Sequence, residues 1–299
     1  MLKDGSVIIP TCMLEIDVSV GLDHHIPEVA KKLVDGEAVR CFKNLCNLGS
    51  ITEEERDRRE ILLRSKIRHT VEVVEATDEV IMNSHNAIEN TNLPWNTTQA
   101  KVIAAFHDIG RFSEAVIMGS NDRRITKFDH GDSGARILEG GLDASGVLEL
   151  SKLGCDLPVI ISAVRYHDKS KLKNDDPYLK LIRDADKLAY LRHMLENPSH
   201  PAQPEIGIIT PEVEREFNKA KLINIHKLKT TADETLYLLA WFLDFNYEAT
   251  REIAIREKII NKTISRLNSD SATRERVAST FEMAWNRQSK AFKIKRESI

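Results

Sequence analysis

Residues that turn a chain are scarce in this sequence. It has 13 glycines and 9 prolines among 299 residues, where average usage would supply about 21 and 15. Antiparallel sheets need a turn every few residues, so the shortage argues against a β-sandwich or a glycine-rich barrel. Between the sparse turn signals the apolar residues recur at helical spacing. Val29, Ala30, Leu33 and Val34 mark one side of a helix over Glu28 to Leu48, opened by Pro27. Gly49 suits its end. Ile61, Leu62, Ile67, Val71, Val74, Val80 and Ile81 mark a second helix, which Ser50 or Thr52 can cap and which Glu53 to Glu55 favour at its positive end.

The same period predicts helices over Gln99 to Asp108 and near 132–139, 143–153, 157–167, 177–196, 211–222, 231–247, 249–267 and 271–293. Residues 109–129 read as a loop, because Gly110, Gly119, Ser120, Asn121 and Asp122 interrupt the periodicity. Residues 1–27 read as an extended leader with room for a short strand at 6–10 or 13–20, and Pro198, Pro201, Pro204 and Gly207 make a linker. The expectation is an all-α chain in three parts. These are a leader and first helix over 1–50, a helical core over 51–198, and a C-terminal helical extension over 199–299 packed on that core.

Composition bounds the partners. Lys and Arg number 43 against 46 Asp and Glu, a net charge of -3, which excludes a basic nucleic-acid coat and a duplex partner but leaves room for a small anionic substrate. No run of about 18 apolar residues exists, so no membrane partner is expected. Asp4, Glu15 and Asp17 interrupt the first apolar stretch, against a signal peptide. Cys12, Cys41, Cys46 and Cys155 form no C-x-x-C pair and read as unpaired thiols of a cytoplasmic protein. The apolar face of 249–267 would serve core packing, the favoured reading, or a homodimer surface.

Metal-ligating residue types stand inside apolar helical surroundings at five places. His69 shares its face with Val73 and Ala76. His107-Asp108 ends an apolar helix, His130 opens one, and His167 ends Val-Ile-Ile-Ser-Ala-Val-Arg-Tyr-His. Asp186 falls within the apolar arc of its helix with Ile182, Ala189 and Tyr190, and Asp184 lies nearer the margin. A buried carboxylate costs several kcal/mol unless it is paired or metal-bound. Each feature alone is more often a satisfied core histidine, a helix cap or a salt bridge. A metal ion would account for them together, and imidazoles with carboxylates suit Mn, Fe, Zn, Ni or Co.

His69, then Ala104-Ala-Phe-His-Asp-Ile-Gly-Arg-Phe112, then Asp184-Ala-Asp-Lys-Leu188 resembles the HD superfamily of metal-dependent phosphohydrolases. Phe128-Asp-His-Gly-Asp-Ser-Gly-Ala-Arg-Ile-Leu138 is similar to the stretch that follows the His-Asp pair in many members. Leu239-Ala-Trp-Phe-Leu-Asp-Phe-Asn246 is similar to the C-terminal helix of a bacterial subgroup of unassigned substrate. The resemblance covers roughly 60–250. It implies a helical HD bundle with added C-terminal helices, and metal ligands at His69, His107, Asp108 and Asp186, with Asp184 as the alternative register. His130 and His167 lie in the interval where dinuclear members add histidines, so they would hold a second ion or touch the substrate. The implied cofactor is one or two divalent ions (Mn, Mg, Fe, Ni, Co or Zn).

The implied activity is cleavage of a phosphate ester, of a nucleotide or another small phosphorylated metabolite, by metal-activated water. Arg111 and Lys187, then Lys127 and Arg123-Arg124, would hold phosphate charge, and Asp184, His130 or His167 would move a proton to the leaving group. Two departures narrow the class. Tyr166-His-Asp-Lys-Ser170 lacks the Gly-Tyr-Pro signature of cyclic-dinucleotide phosphodiesterases, and Arg111 stands where some nucleotidase members place a Glu. The competing readings are a mixed-valent di-iron oxygenase on the same scaffold and a non-catalytic sensor or binding module.

Overall fold

The structure is a computed structural model. It describes the backbone of residues 22, 26–49, 51–87, 94–120, 123–169, 175–196, 208–219, 223–266 and 271–296, and their side chains except at 86–87, 123–124 and 287–296. Among the described residues every regular element is helical: α1 (Glu28–Cys46), α2 (Glu53–Ala87), α3 (Thr97–Phe106), α4 (Ile109–Met118), α5 (Arg123–Thr126), α6 (His130–Gly141), α7 (Ala144–Lys152), α8 (Leu157–Tyr166), α9 (Pro177–Glu196), α10 (Pro211–Asn218), α11 (Thr231–Leu243), α12 (Glu248–Arg256), α13 (Ile259–Ser265) and α14 (Ser271–Arg296), with one 3-10 turn at Ile225–Lys227. The all-α expectation is met. The expected leader strands, Cys12, His24-His25, the linker prolines and the Arg123-Arg124 side chains lie outside the described residues.

The chain forms two compact units, Met1–Ala185 and Asp186–Ile299, and the division falls inside α9. In the first unit α2 runs unbroken for 35 residues. Thr52 caps its start by accepting a hydrogen bond from Glu55 N at 3.2 Å. Its buried hydroxyls return to the helix itself, Thr70 to Lys66 O, Thr77 to Val73 O and Ser84 to Val80 O, so they cost little to bury. His85 is exposed on the same helix, as its polar surroundings predict.

The first unit departs from the sequence reading most at 109–129. Residues 109–118 are not a loop but α4, of which Ile109, Phe112, Ala115 and Val116 are buried. Gly110 misleads because a glycine in a helix reads as a breaker, whereas here it is required by packing. A β-carbon at Gly110 would lie 2.2 Å from the His130 carbonyl oxygen and 2.7 Å from Gly134 N. At Gly131 it would lie 2.6 Å from Arg165 O. The missing side chains let α4, α6 and α8 approach backbone to backbone. Gly119, by contrast, does end α4, at φ 61°.

In the second unit α11 is the centre, packed on α10, α13 and α14. Asp233, fully buried, accepts from Thr210 N at 2.8 Å and Lys229 N at 3.0 Å. Phe217, Phe242, Phe245 and Phe281 are buried around it, while Trp241 and Tyr247 are half-buried. The predicted helix at 249–267 is two, because the backbone at Lys258 is left-handed at φ 57° and splits α12 from α13. The fully buried Arg251 on α12 donates to Phe245 O at 2.6 Å.

The cysteines also differ from expectation. Cys41 and Cys155 are free and buried, but Cys46 is disulfide-bonded. Burial, with Glu37 beside it, pushes the Cys41 thiol up to about 12, so it is an unreactive core residue.

The helix contacts give a pair of opposite expectations. Gly110→Ala drives a β-carbon into backbone and should cost about 2 kcal/mol or more. Gly140→Ala, on the exposed side of α6 with nothing within 4 Å of its β-carbon, should stabilise by about 0.5–1 kcal/mol. Thermal melts of the two variants beside wild type test this. Equal melting temperatures would show that α4 and α6 are not held at this separation.

Candidate metal centre

The ligand-type residues sit where helices stop and start. His107 is the C-cap of α3, and Asp108 stands at the N-cap of α4 without spending its side chain on a capping hydrogen bond. His130 is the first residue of α6 and His167 the C-cap of α8. His69 lies inside α2. His69, His107, Asp108, His130 and His167 are all buried, His107 completely.

They meet as two groups that share one carboxylate. His69, His107 and Asp108 offer ligand atoms within 4.8 Å of one another, and so do Asp108, His130 and His167. In the second group His130 Nε2 lies 3.2 Å from His167 Nε2, and each lies 3.4 Å from Asp108 Oδ1. Ligands about 2 Å from a tetrahedral ion stand about 3.3 Å apart, so these separations fit a metal ion. In the first group His107 Nε2 lies 3.9 Å from Asp108 Oδ2, and the rings of His69 and His107 meet edge-on at 5.6 Å. Nitrogen and carboxylate donors without thiolate are the set suited to Mn, Fe, Zn, Ni or Co.

The tautomers are fixed by the helix ends. His107 Nδ1 lies 2.7 Å from Ala104 O, and His167 Nδ1 lies 2.7 Å from Val164 O. A carbonyl only accepts, so both Nδ1 atoms carry hydrogen, and both Nε2 lone pairs turn to the centre. Glu72 Oε2 lies 3.7 Å from His69 Nδ1 on the ring edge away from Nε2. Burial pushes the Asp108 carboxyl up, but His107, His167 and His130, when their rings are protonated in place of binding an ion, outweigh it together with the Arg111 guanidinium and hold the group well below the usual carboxylate range.

Arg111 lies one turn beyond Asp108, with Nε 3.6 Å from Asp108 Oδ1. Its Nη1 donates to Glu114 Oε2 at 2.6 Å, and Thr126 Oγ1 donates to the other oxygen of this fully buried carboxylate at 2.7 Å. Lys127 is exposed. Asp184 is fully buried and Asp186 half-buried, the reverse of the order read from the sequence. Residues 181–185 are buried all round the helix, so a single apolar arc does not rank the two. Asp186 and Lys187 begin the second unit, where Lys187 is paired with Asp244. Both ligand groups are built from the first unit alone.

Asp168 was not singled out in the sequence. Its Oδ2 lies 3.3 Å from His130 Nε2. The available signal was the dipeptide His167-Asp168, which repeats His107-Asp108 at the end of another apolar helix.

Residues 67–191 match the family model of the HD domain. Neither the curated proteins nor the solved structures contain a match to this chain. The segment matched runs from the turn of α2 that carries His69 to the helix that carries Asp184 and Asp186, and it encloses both ligand groups. The chain therefore carries an HD domain over residues 67–191.

Proposed function

We propose that this protein hydrolyses a phosphate ester, of a nucleotide or another small phosphorylated metabolite, with divalent ions held at the two histidine-aspartate groups. The observation that carries the reading is the one buried carboxylate, Asp108, shared by two sets of imidazoles. A divalent ion in such a setting lowers the pKa of a water molecule and polarises a phosphoryl oxygen.

The side chains have separate tasks in this reading. His69, His107 and Asp108 would hold a first ion, and Asp108, His130 and His167 a second. Backbone carbonyls orient the rings of His107 and His167. Arg111, anchored on one edge by Glu114, holds a cation beside Asp108 where phosphate charge would gather. Asp184, His130 or His167 carries the proton to the leaving group.

Two measurements test this. Asp108→Asn keeps the side-chain shape and removes the shared charge. Phosphate release from a panel of nucleotides and sugar phosphates, with Mn, Co, Ni or Mg supplied, should fall at least about 100-fold, or about 2.7 kcal/mol of barrier. The circular dichroism of the variant should stay helical. Wild-type turnover by the variant would refute the reading, and iron content with oxygen consumption in place of phosphate release would favour an oxygenase.

Metal content separates one ion from two. The double variant His130→Ala, His167→Ala should bind one equivalent where wild type binds two. An unchanged single equivalent in both, with only a raised KM, would assign these histidines to substrate.

A further inference from the structure

The turn that carries His167 is fastened from α9, which lends no residue to the Asp108, His130 and His167 group. Arg183, on α9, is a buried charge with 8% of its surface exposed. Its Nη1 donates to His167 O at 3.2 Å and also to Lys169 O. These carbonyls lie past the end of α8, where the helix itself supplies no donor. The turn they belong to bears His167, whose Nε2 faces Asp108, and Asp168, whose Oδ2 faces His130. It also bears Lys169, which donates to Asp129 at 2.6 Å. Asp129 is the N-cap of α6, directly before His130. One guanidinium thus restrains the segment that holds one histidine of the second group and, through Lys169 and Asp129, the helix start that holds the other.

We propose that Arg183 is a positioning residue for the second ion, acting through the 167–169 turn and touching neither ion nor substrate. This rests on the reading that the Asp108, His130 and His167 group binds metal. The mechanism has a sign that an electrostatic role lacks. Removing a buried positive charge near a cation site should tighten cation binding. Loosening a pre-set ligand spacing should weaken it, by the roughly 10–100-fold typical of partners that orient metal ligands.

Co(II) titration of the full chain, followed by absorbance, tests the proposal in two backgrounds. His69→Ala isolates the second group and His130→Ala the first. Arg183→Met, which keeps the length of the stem and removes the donors, should weaken Co(II) binding roughly 10–100-fold in the His69→Ala background. It should change binding less than about 2-fold in the His130→Ala background. Arg183→Lys keeps the charge and can reach one carbonyl, so it should fall between wild type and Met. Equal weakening in both backgrounds would mark Arg183 as a general fold residue and overturn the proposal, as would unchanged or tighter binding in the first. If Arg183→Met does not fold, Arg183→Lys decides: selective weakening supports the proposal and unchanged binding overturns it. A His69→Ala protein with native Arg183 that binds no Co(II) would fail the two-ion reading itself and remove the proposal with it.

Discussion

Backbone contact at two glycines fixes the distances on which the centre depends. Gly110 lies two residues after Asp108 and meets the carbonyl of His130. Gly131 follows His130 and meets the carbonyl of Arg165, two residues before His167. Each glycine adjoins one ligand and touches the chain beside the next. The separations of 3.2 and 3.4 Å among Asp108, His130 and His167 are therefore set by main chain against main chain, which has no rotamers to relax. A β-carbon at either place would spread the ligand-bearing ends before it disturbed the rest of the core.

This also explains what the sequence could tell and what it could not. Helix ends carrying His107-Asp108, His130 and His167 were legible, because an apolar period that stops at an imidazole is a local pattern. A helix carrying His69 was legible for the same reason, but the unbroken length of α2 was not. α4 was not, because the sign of a glycine depends on what lies opposite it, and the His130 carbonyl is 20 residues away in the chain. Asp168 escaped for a similar reason: only the placement of His130 turns the second His-Asp dipeptide towards the centre. The relative depth of Asp184 and Asp186 needed the neighbours of α9 on every side. The break at Lys258 has no local signal in the residues around it.

The charges of the first unit form a graded set. Asp108 is held anionic against its burial by four cationic or polar neighbours. Glu114, fully buried, is satisfied by Arg111 and Thr126, and burying it there ties the otherwise exposed residues around α5 to α4. Burial favours loss of the Arg111 charge, but Asp108 and Glu114 more than offset it and raise its pKa. A cation so held stays charged and stays in place. That suits the phosphate-holding role proposed for Arg111, in which a flexible lysine would lose more freedom on binding.

Helix ends suit this centre better than helix interiors for a reason of hydrogen-bond supply. The last carbonyls of a helix lack an intrahelical donor and must find one. A histidine at the C-cap can provide it through Nδ1–H to the carbonyl three residues back, and it does so at both Ala104 and Val164. The bond satisfies a buried acceptor, and it selects the tautomer that leaves Nε2 unprotonated. His69 stands inside α2, away from a helix end. Its Nδ1 faces a carboxylate, Glu72, one turn on. The first group is therefore oriented partly by the Glu72 side chain, whereas in the second the ring of His167 is held by the Val164 carbonyl and its own carbonyl by the Arg183 guanidinium.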